Sequence, residues 1–97
     1  MTREAALSAL ARCRVQIDDV DRRILDLLNE RTRVVEEIGR VKRAAGMPIY
    51  EPKREDEVFA NVTVSNRGPL PPDAVKRVFE RIIDEMRKVQ RMRMESE

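Results

Sequence analysis

The chain has no histidine and no tryptophan, a single cysteine, and only three aromatic residues, Tyr50, Phe59 and Phe79, among 97 residues. Each shortage closes a route. Without imidazole there is no His-based general base and no His-containing zinc site, and one cysteine adds neither a zinc cluster nor an intrachain disulfide. Three scattered aromatics make no stacking platform for single-stranded nucleic acid. No apolar run approaches a signal-peptide core or a membrane span, so the expectation is a soluble, cytoplasmic protein with no membrane partner. Whatever chemistry the chain performs must rely on carboxylate, amide, ammonium and guanidinium groups, with no metal and no cofactor.

Charge, by contrast, is abundant and nearly balanced. Lys and Arg number 20 against 18 Asp and Glu, and the sequence pI is about 9.0. Interleaved charges of both signs describe a solvated helix surface better than a polyanion-binding face, so no nucleic-acid partner is expected. A basic nucleic-acid module is an alternative supported by arginine content alone.

Two punctuation marks organise the chain. Gly46-Met47-Pro48 reads as a glycine helix cap followed by proline, and Asn66-Arg67-Gly68-Pro69 leads into Pro71-Pro72. They divide a single domain, residues 1–97, into three helices. The first runs from about residue 3 to 45, the second starts at Pro52, and the third runs from Pro72 to beyond Gln90, with Pro72 and Asp73 suited to its first turn. Residues 91–97 are expected to fray. No strand signal, internal repeat or low-complexity stretch is present, and the fold class is all-α.

Along the first helix, Leu10, Cys13, Ile17, Val20, Ile24, Leu27, Arg31, Val34, Ile38, Val41 and Ala45 fall on one seam, apolar but for Arg31. About 40 residues at about 1.5 Å each make a helix of roughly 60 Å, while a compact chain of this length has a radius of gyration of about 13 Å. Two shorter helices cannot cover such a seam, so a second copy is expected to do so, in an intertwined homodimeric helical bundle. A helical assembly module without an active site would explain the seam equally well. It would not explain Arg31.

Three more polar residues interrupt apolar lines. Lys42 follows Leu28 and Val35 on a line beside the seam, Glu55 heads the stripe Val58, Phe59, Val62, and Gln90 ends the stripe Phe79, Ile82, Ile83, Met86. A single inward arginine has an ordinary reading as a paired structural charge, but four inward polar groups on three helices point to a shared polar ligand, because a buried charge without partners costs several kcal/mol. Arg31 and Lys42 are eleven residues apart, about three turns, and share a face at roughly 16 Å, a clamp for a small anion. Arg14 lies roughly 25 Å from Arg31 along the helix, so it would serve that ligand only from a partner chain.

Taken in order, Ile17-Asp18-Asp19-Val20-Asp21-Arg22-Arg23-Ile24-Leu25, Leu28-Asn29-Glu30-Arg31, Ile38-Gly39-Arg40-Val41-Lys42 and Pro48-Ile49-Tyr50-Glu51-Pro52-Lys53-Arg54-Glu55 resemble the all-helical type of chorismate mutase over nearly the whole chain. The resemblance implies a dimer of three-helix protomers, an isomerase that converts chorismate to prephenate in the shikimate pathway of aromatic amino acid biosynthesis. It implies that Arg31 and the partner chain's Arg14 hold the two substrate carboxylates. Lys42 and Gln90 would hydrogen-bond the ether oxygen, Glu55 and Glu51 would engage the ring hydroxyl, and Arg54 would add electrostatic support. Met86 stands where that family often has serine, and Glu51 where it frequently has aspartate. An isochorismate pyruvate lyase-like enzyme shares the Arg, Lys and Gln positions, although the Arg54-Glu55 pair after Pro52 looks more like the mutase. A regulatory or non-catalytic helical dimer is the remaining alternative, and docking to another shikimate-pathway enzyme is a further partner expectation.

Overall fold

A computed structural model describes residues 1–96, with side chains to Arg93. It contains three helices, α1 (Arg3–Ala45), α2 (Pro52–Ser65) and α3 (Pro72–Ser96), and no strand among the described residues. The helix boundaries follow local chemistry. The hydroxyl of Thr2 accepts from the Ala5 N–H at 3.0 Å, capping the start of α1. At the other end Gly46 adopts φ +68°, the Met47 N–H reaches the Lys42 carbonyl at 2.7 Å, and the Gly46 N–H reaches that of Arg43 at 3.2 Å. This is the paired hydrogen bonding of a Schellman cap, which needs a left-handed residue just past the helix. Pro52 opens α2, where its missing N–H is no loss. Between α2 and α3, the Asn66 side chain accepts from the Gly68 N–H at 3.0 Å and donates to the Leu70 carbonyl at 2.8 Å.

The chain divides into two units, residues 1–33 and residues 34–97. The first is helical almost throughout and most of its large apolar side chains are uncovered: Ile17 is 58% and Leu27 63% exposed, with Leu28 half-buried. In the second, α2 packs on α3. Its core is thin: Val75, Ile83 and Met86 are the buried apolar side chains, with Val58, Phe59, Val62, Phe79 and Ile82 half-buried around them. The stripes expected on α2 and α3 are therefore the ones that face inward.

The expected division of labour on α1 differs. Val34, Ile38 and Val41, assigned to the inward seam, are exposed in the single chain, whereas the flanking positions Val35 and Lys42 are half-buried and Gly39 is buried. Spacings of four and three put 35, 39 and 42 on one face, and Gln90 of α3 packs over Gly39 there. The C-terminal end differs too. α3 continues as helix to Ser96 where fraying was expected, and Arg93 Nε pairs with Glu36 Oε2 at 2.6 Å, tying this last part of α3 to α1. Glu97 lies outside the described residues. No helix among the described residues is long and apolar enough to cross a membrane.

The two glycines of α1 and its cap respond oppositely to alanine. A Cβ at Gly39 would meet Gln90 Cγ and Nε2 at 3.8 and 3.9 Å, ordinary contact distances. Gly39→Ala therefore raises stability by about 0.5 to 1 kcal/mol, seen as a melting temperature a few degrees higher. Gly46→Ala forces a side chain into a left-handed conformation and lowers stability by about 1 kcal/mol or more. Thermal melts of both variants check this; shifts of the same sign contradict it.

Candidate active site

Lys42 is in the last turn of α1, three residues before its C-terminal residue Ala45, and its side chain is only 12% exposed. Its ammonium donates to the Ile49 carbonyl at 3.1 Å and pairs with Glu51 Oε1 at 2.7 Å. Both partners come from the short connection that returns from α1 to α2. Glu51 occupies the N-cap position of α2 at φ −133° and ψ 83°, and its side chain makes no capping hydrogen bond. Its carboxylate goes to Lys42 instead. An ammonium has three N–H donors. Two are committed here, and the third has no partner among the described residues.

Gln90 repeats the pattern on α3. It is the buried polar side chain of the second unit, 9% exposed, and its Nε2 donates to the Val35 carbonyl at 3.2 Å. It lies over Gly39, where a side chain on α1 would otherwise stand. The amide has two donors and one acceptor oxygen, so one N–H and the oxygen are uncommitted among the described residues. Val35, Gly39 and Lys42 lie on one face of α1, so the Gln90 amide, against Val35 and Gly39, sits about one to two turns before Lys42 along that face.

Glu55 completes this side of the site. Its Oε1 accepts from Arg87 Nη2 at 2.6 Å, with the two side chains 23% and 28% exposed, and its backbone N–H donates to the Glu51 carbonyl at 3.2 Å. Arg87 also lies 3.5 Å from Asp84 Oδ1 and 5.6 Å above the Tyr50 ring. Contacts therefore run from Lys42 through Glu51 to Glu55, to Arg87, one turn along α3 to Gln90, and back to α1.

Of the residues expected at a site, the second unit thus brings together Lys42, Glu51, Glu55 and Gln90. Glu51, expected at a ring hydroxyl, spends one oxygen on Lys42. Arg54 is exposed and pairs with Glu57 at 3.2 Å along the surface of α2. Arg31 is half-buried and Arg14 exposed, both in the first unit. An open groove between α2 and α3, which shares Glu55 with this arrangement, is walled by Glu55, Asp56, Glu80 and Asp84 against the single cation Lys76. Its charge would repel a small anion. Sequence reasoning missed Arg87, whose position on α3 shows no break in an apolar stripe, and the main-chain acceptors of Val35 and Ile49, which no side-chain pattern reveals.

Residues 13–91 match the family model of chorismate mutase type II. The chain belongs to that family. A solved structure of chorismate mutase (Form II) from Thermus thermophilus superposes with a TM-score of 0.84 at 38% identity, covering 86% of this chain and 94% of that one. Among curated relatives, the T-protein of Enterobacter agglomerans is 42% identical over 84% of this chain and 21% of its own length. The bifunctional chorismate mutase/prephenate dehydratase of Aquifex aeolicus (strain VF5) is 36% identical over 79% of this chain and 22% of its own length. The chain thus spans about a fifth of the length of these two relatives. Membership of the family agrees with the all-helical fold.

The ion pair at the centre of this arrangement is testable by a double-mutant cycle. Glu51→Ala lowers stability by about 1 kcal/mol, a value kept modest because Glu51 is 42% exposed. In a Lys42→Met background the same change has almost no effect, giving a coupling of about 1 kcal/mol in urea unfolding. Equal losses in both backgrounds would show that Glu51 acts elsewhere.

Proposed function

We propose that this chain is a chorismate mutase that works as a homodimer, rearranging chorismate to prephenate by an intramolecular Claisen reaction. The observation that carries the reading is the pair of uncommitted donors. The half-buried Lys42 ammonium of α1 and the buried Gln90 amide of α3, which lies against the same face of α1, are each fixed by protein acceptors, and each keeps one N–H available. The Claisen transition state lengthens a carbon–oxygen bond and builds negative charge on the ether oxygen. Lys42 and Gln90 are the donors that would meet it. Because they are already held, little reorganisation accompanies the reaction.

The reaction needs neither a nucleophile nor a proton transfer, which suits a chain without histidine. Catalysis consists of holding the reactive conformer and stabilising separated charge. In this proposal Arg31 and Arg14 of the partner subunit grip the two carboxylates of the substrate, for which guanidinium forks are suited. Glu55, through the oxygen not on Arg87, accepts from the ring hydroxyl. Glu51 orients Lys42, and Arg54 contributes only at long range. At about 1.4 kcal/mol per tenfold in rate, an ammonium worth about 4 kcal/mol at the ether oxygen supplies roughly a thousandfold.

The homodimer is supported by the uncovered seam of α1. Leu10, Ile17, Val20, Ile24, Leu27, Val34, Ile38 and Val41 are all exposed in the single chain, an apolar line interrupted at Arg31 that a second copy would cover. Residues 1–97 would then act as one domain within the pair. The proposal places the enzyme in the cytoplasm, with docking to another shikimate-pathway enzyme as a further partner. The pairing of chorismate mutase with prephenate dehydratase in the name of one relative supports the latter.

Following chorismate disappearance tests the reading. The wild-type chain turns it over. Lys42→Ala lowers kcat at least a hundredfold and changes KM much less, because the ammonium acts mainly on charge that develops in the transition state. Wild-type activity in Lys42→Ala would exclude the mechanism. Mixed with Arg14→Ala after joint unfolding and refolding, Lys42→Ala recovers about half of wild-type activity per heterodimer, one site carrying both defects and the other neither. Heterodimers that form without recovery would exclude a site shared between chains.

A further inference from the structure

Arg87 has no role in the mechanism proposed above, yet one guanidinium joins three parts of the second unit. It donates from Nη2 to Glu55 Oε1 at 2.6 Å, lies 3.5 Å from Asp84 on its own helix, and stands 5.6 Å above the Tyr50 ring. Tyr50 is the residue between Ile49 and Glu51, the two that hold the Lys42 ammonium. Lys42 and Arg87 therefore hold consecutive residues of the same short segment. Arg87 also carries the one unsatisfied polar atom among the described buried side chains, its Nε. A buried donor left without an acceptor is a feature that stability alone would select against.

We propose that Arg87 is a positioning residue for the rearrangement: it fixes the Glu55 carboxylate so that the second oxygen faces the substrate's ring hydroxyl. This rests on the chorismate mutase reading and deepens it. A glutamate on a helix has three freely rotating side-chain bonds. A fork that takes one oxygen and stacks on an aromatic ring removes most of that freedom before substrate arrives. Arg87 itself touches no substrate atom. It acts through Glu55, and its effect must vanish when Glu55 has nothing to hold.

The test compares chorismate with an analogue lacking the ring hydroxyl, using wild type, Arg87→Ala, Arg87→Lys, Glu55→Ala and the Arg87→Ala/Glu55→Ala double variant. Arg87→Ala is expected to lower kcat/KM for chorismate about tenfold, and Arg87→Lys, which keeps the charge and loses the fork, about threefold. With the analogue, Arg87→Ala changes kcat/KM less than about twofold, and in the Glu55→Ala background it adds less than about twofold with either substrate. Equal losses with both substrates, or a full further tenfold without Glu55, would reduce Arg87 to a structural ion pair and overturn the proposal. If Arg87→Ala does not fold, the same comparison runs on Arg87→Lys, whose threefold loss must disappear with the analogue. Failure of the parent reading looks different: the wild type is then inert toward chorismate, and both ideas fall. If the wild type is active and Glu55→Ala has no effect, the proposal for Arg87 falls alone.

Discussion

A lysine ammonium that is 12% exposed must be given partners by the fold, and much of the second unit follows from how Lys42 receives them. Desolvating an ammonium costs several kcal/mol, so a nearly buried one is tolerated only where the chain supplies oxygen. The Schellman cap at Gly46 ends α1 three residues beyond Lys42 and turns the chain back, which brings the Ile49 carbonyl and the Glu51 carboxylate to Nζ. That requirement in turn fixes the start of α2. Glu51 stands at the N-cap position, yet its side chain goes to Lys42, so α2 begins without a side-chain cap and relies on Pro52 to set its first turn.

Gln90 solves the same problem with an uncharged group. An amide at the end of an apolar stripe would be left with unpaired donors unless a main-chain oxygen came within reach. At Gly39 the two helices meet, and the amide of α3 reaches the Val35 carbonyl of α1. Both polar groups are thus satisfied in part by backbone, and the part left over is what the proposed mechanism uses. The core beside them is small, with Val75, Ile83 and Met86 as its buried apolar members, and the exposed apolar line of α1 is the surface that the proposed second copy would cover.

Much of this was legible in the sequence, and the exceptions are physical. The helix boundaries were legible because glycine and proline act locally: Gly46, Pro52 and Pro72 each set a backbone angle or remove a donor without reference to the rest of the fold. Lys42, Glu55 and Gln90 were legible because a polar side chain on an apolar line is a conflict that periodicity exposes. The seam of α1 was read as inward, whereas within one chain Val35, Gly39 and Lys42 face inward and Val34, Ile38 and Val41 do not. Periodicity finds apolar lines but does not say whether the same chain or another covers them. Helix at residues 91–96 was missed because the pairing of Arg93 with Glu36 spans most of the second unit. Arg87 was missed for a similar reason: an arginine on a charged helix looks like solvated surface until its partners at positions 50 and 55 are placed beside it.

The central claim is that Lys42 and Gln90 present their remaining donors to one point, the ether oxygen of the rearranging substrate. A crystal structure with a bicyclic dicarboxylate that mimics the transition state measures this directly. The account predicts the bridging ether oxygen about 2.7 to 3.2 Å from both Lys42 Nζ and Gln90 Nε2, with the Lys42 contacts to Ile49 and Glu51 and the Gln90 contact to Val35 retained. An ether oxygen beyond hydrogen-bond reach of both, or a Lys42 that abandons Glu51 to bind a carboxylate of the inhibitor, would contradict it.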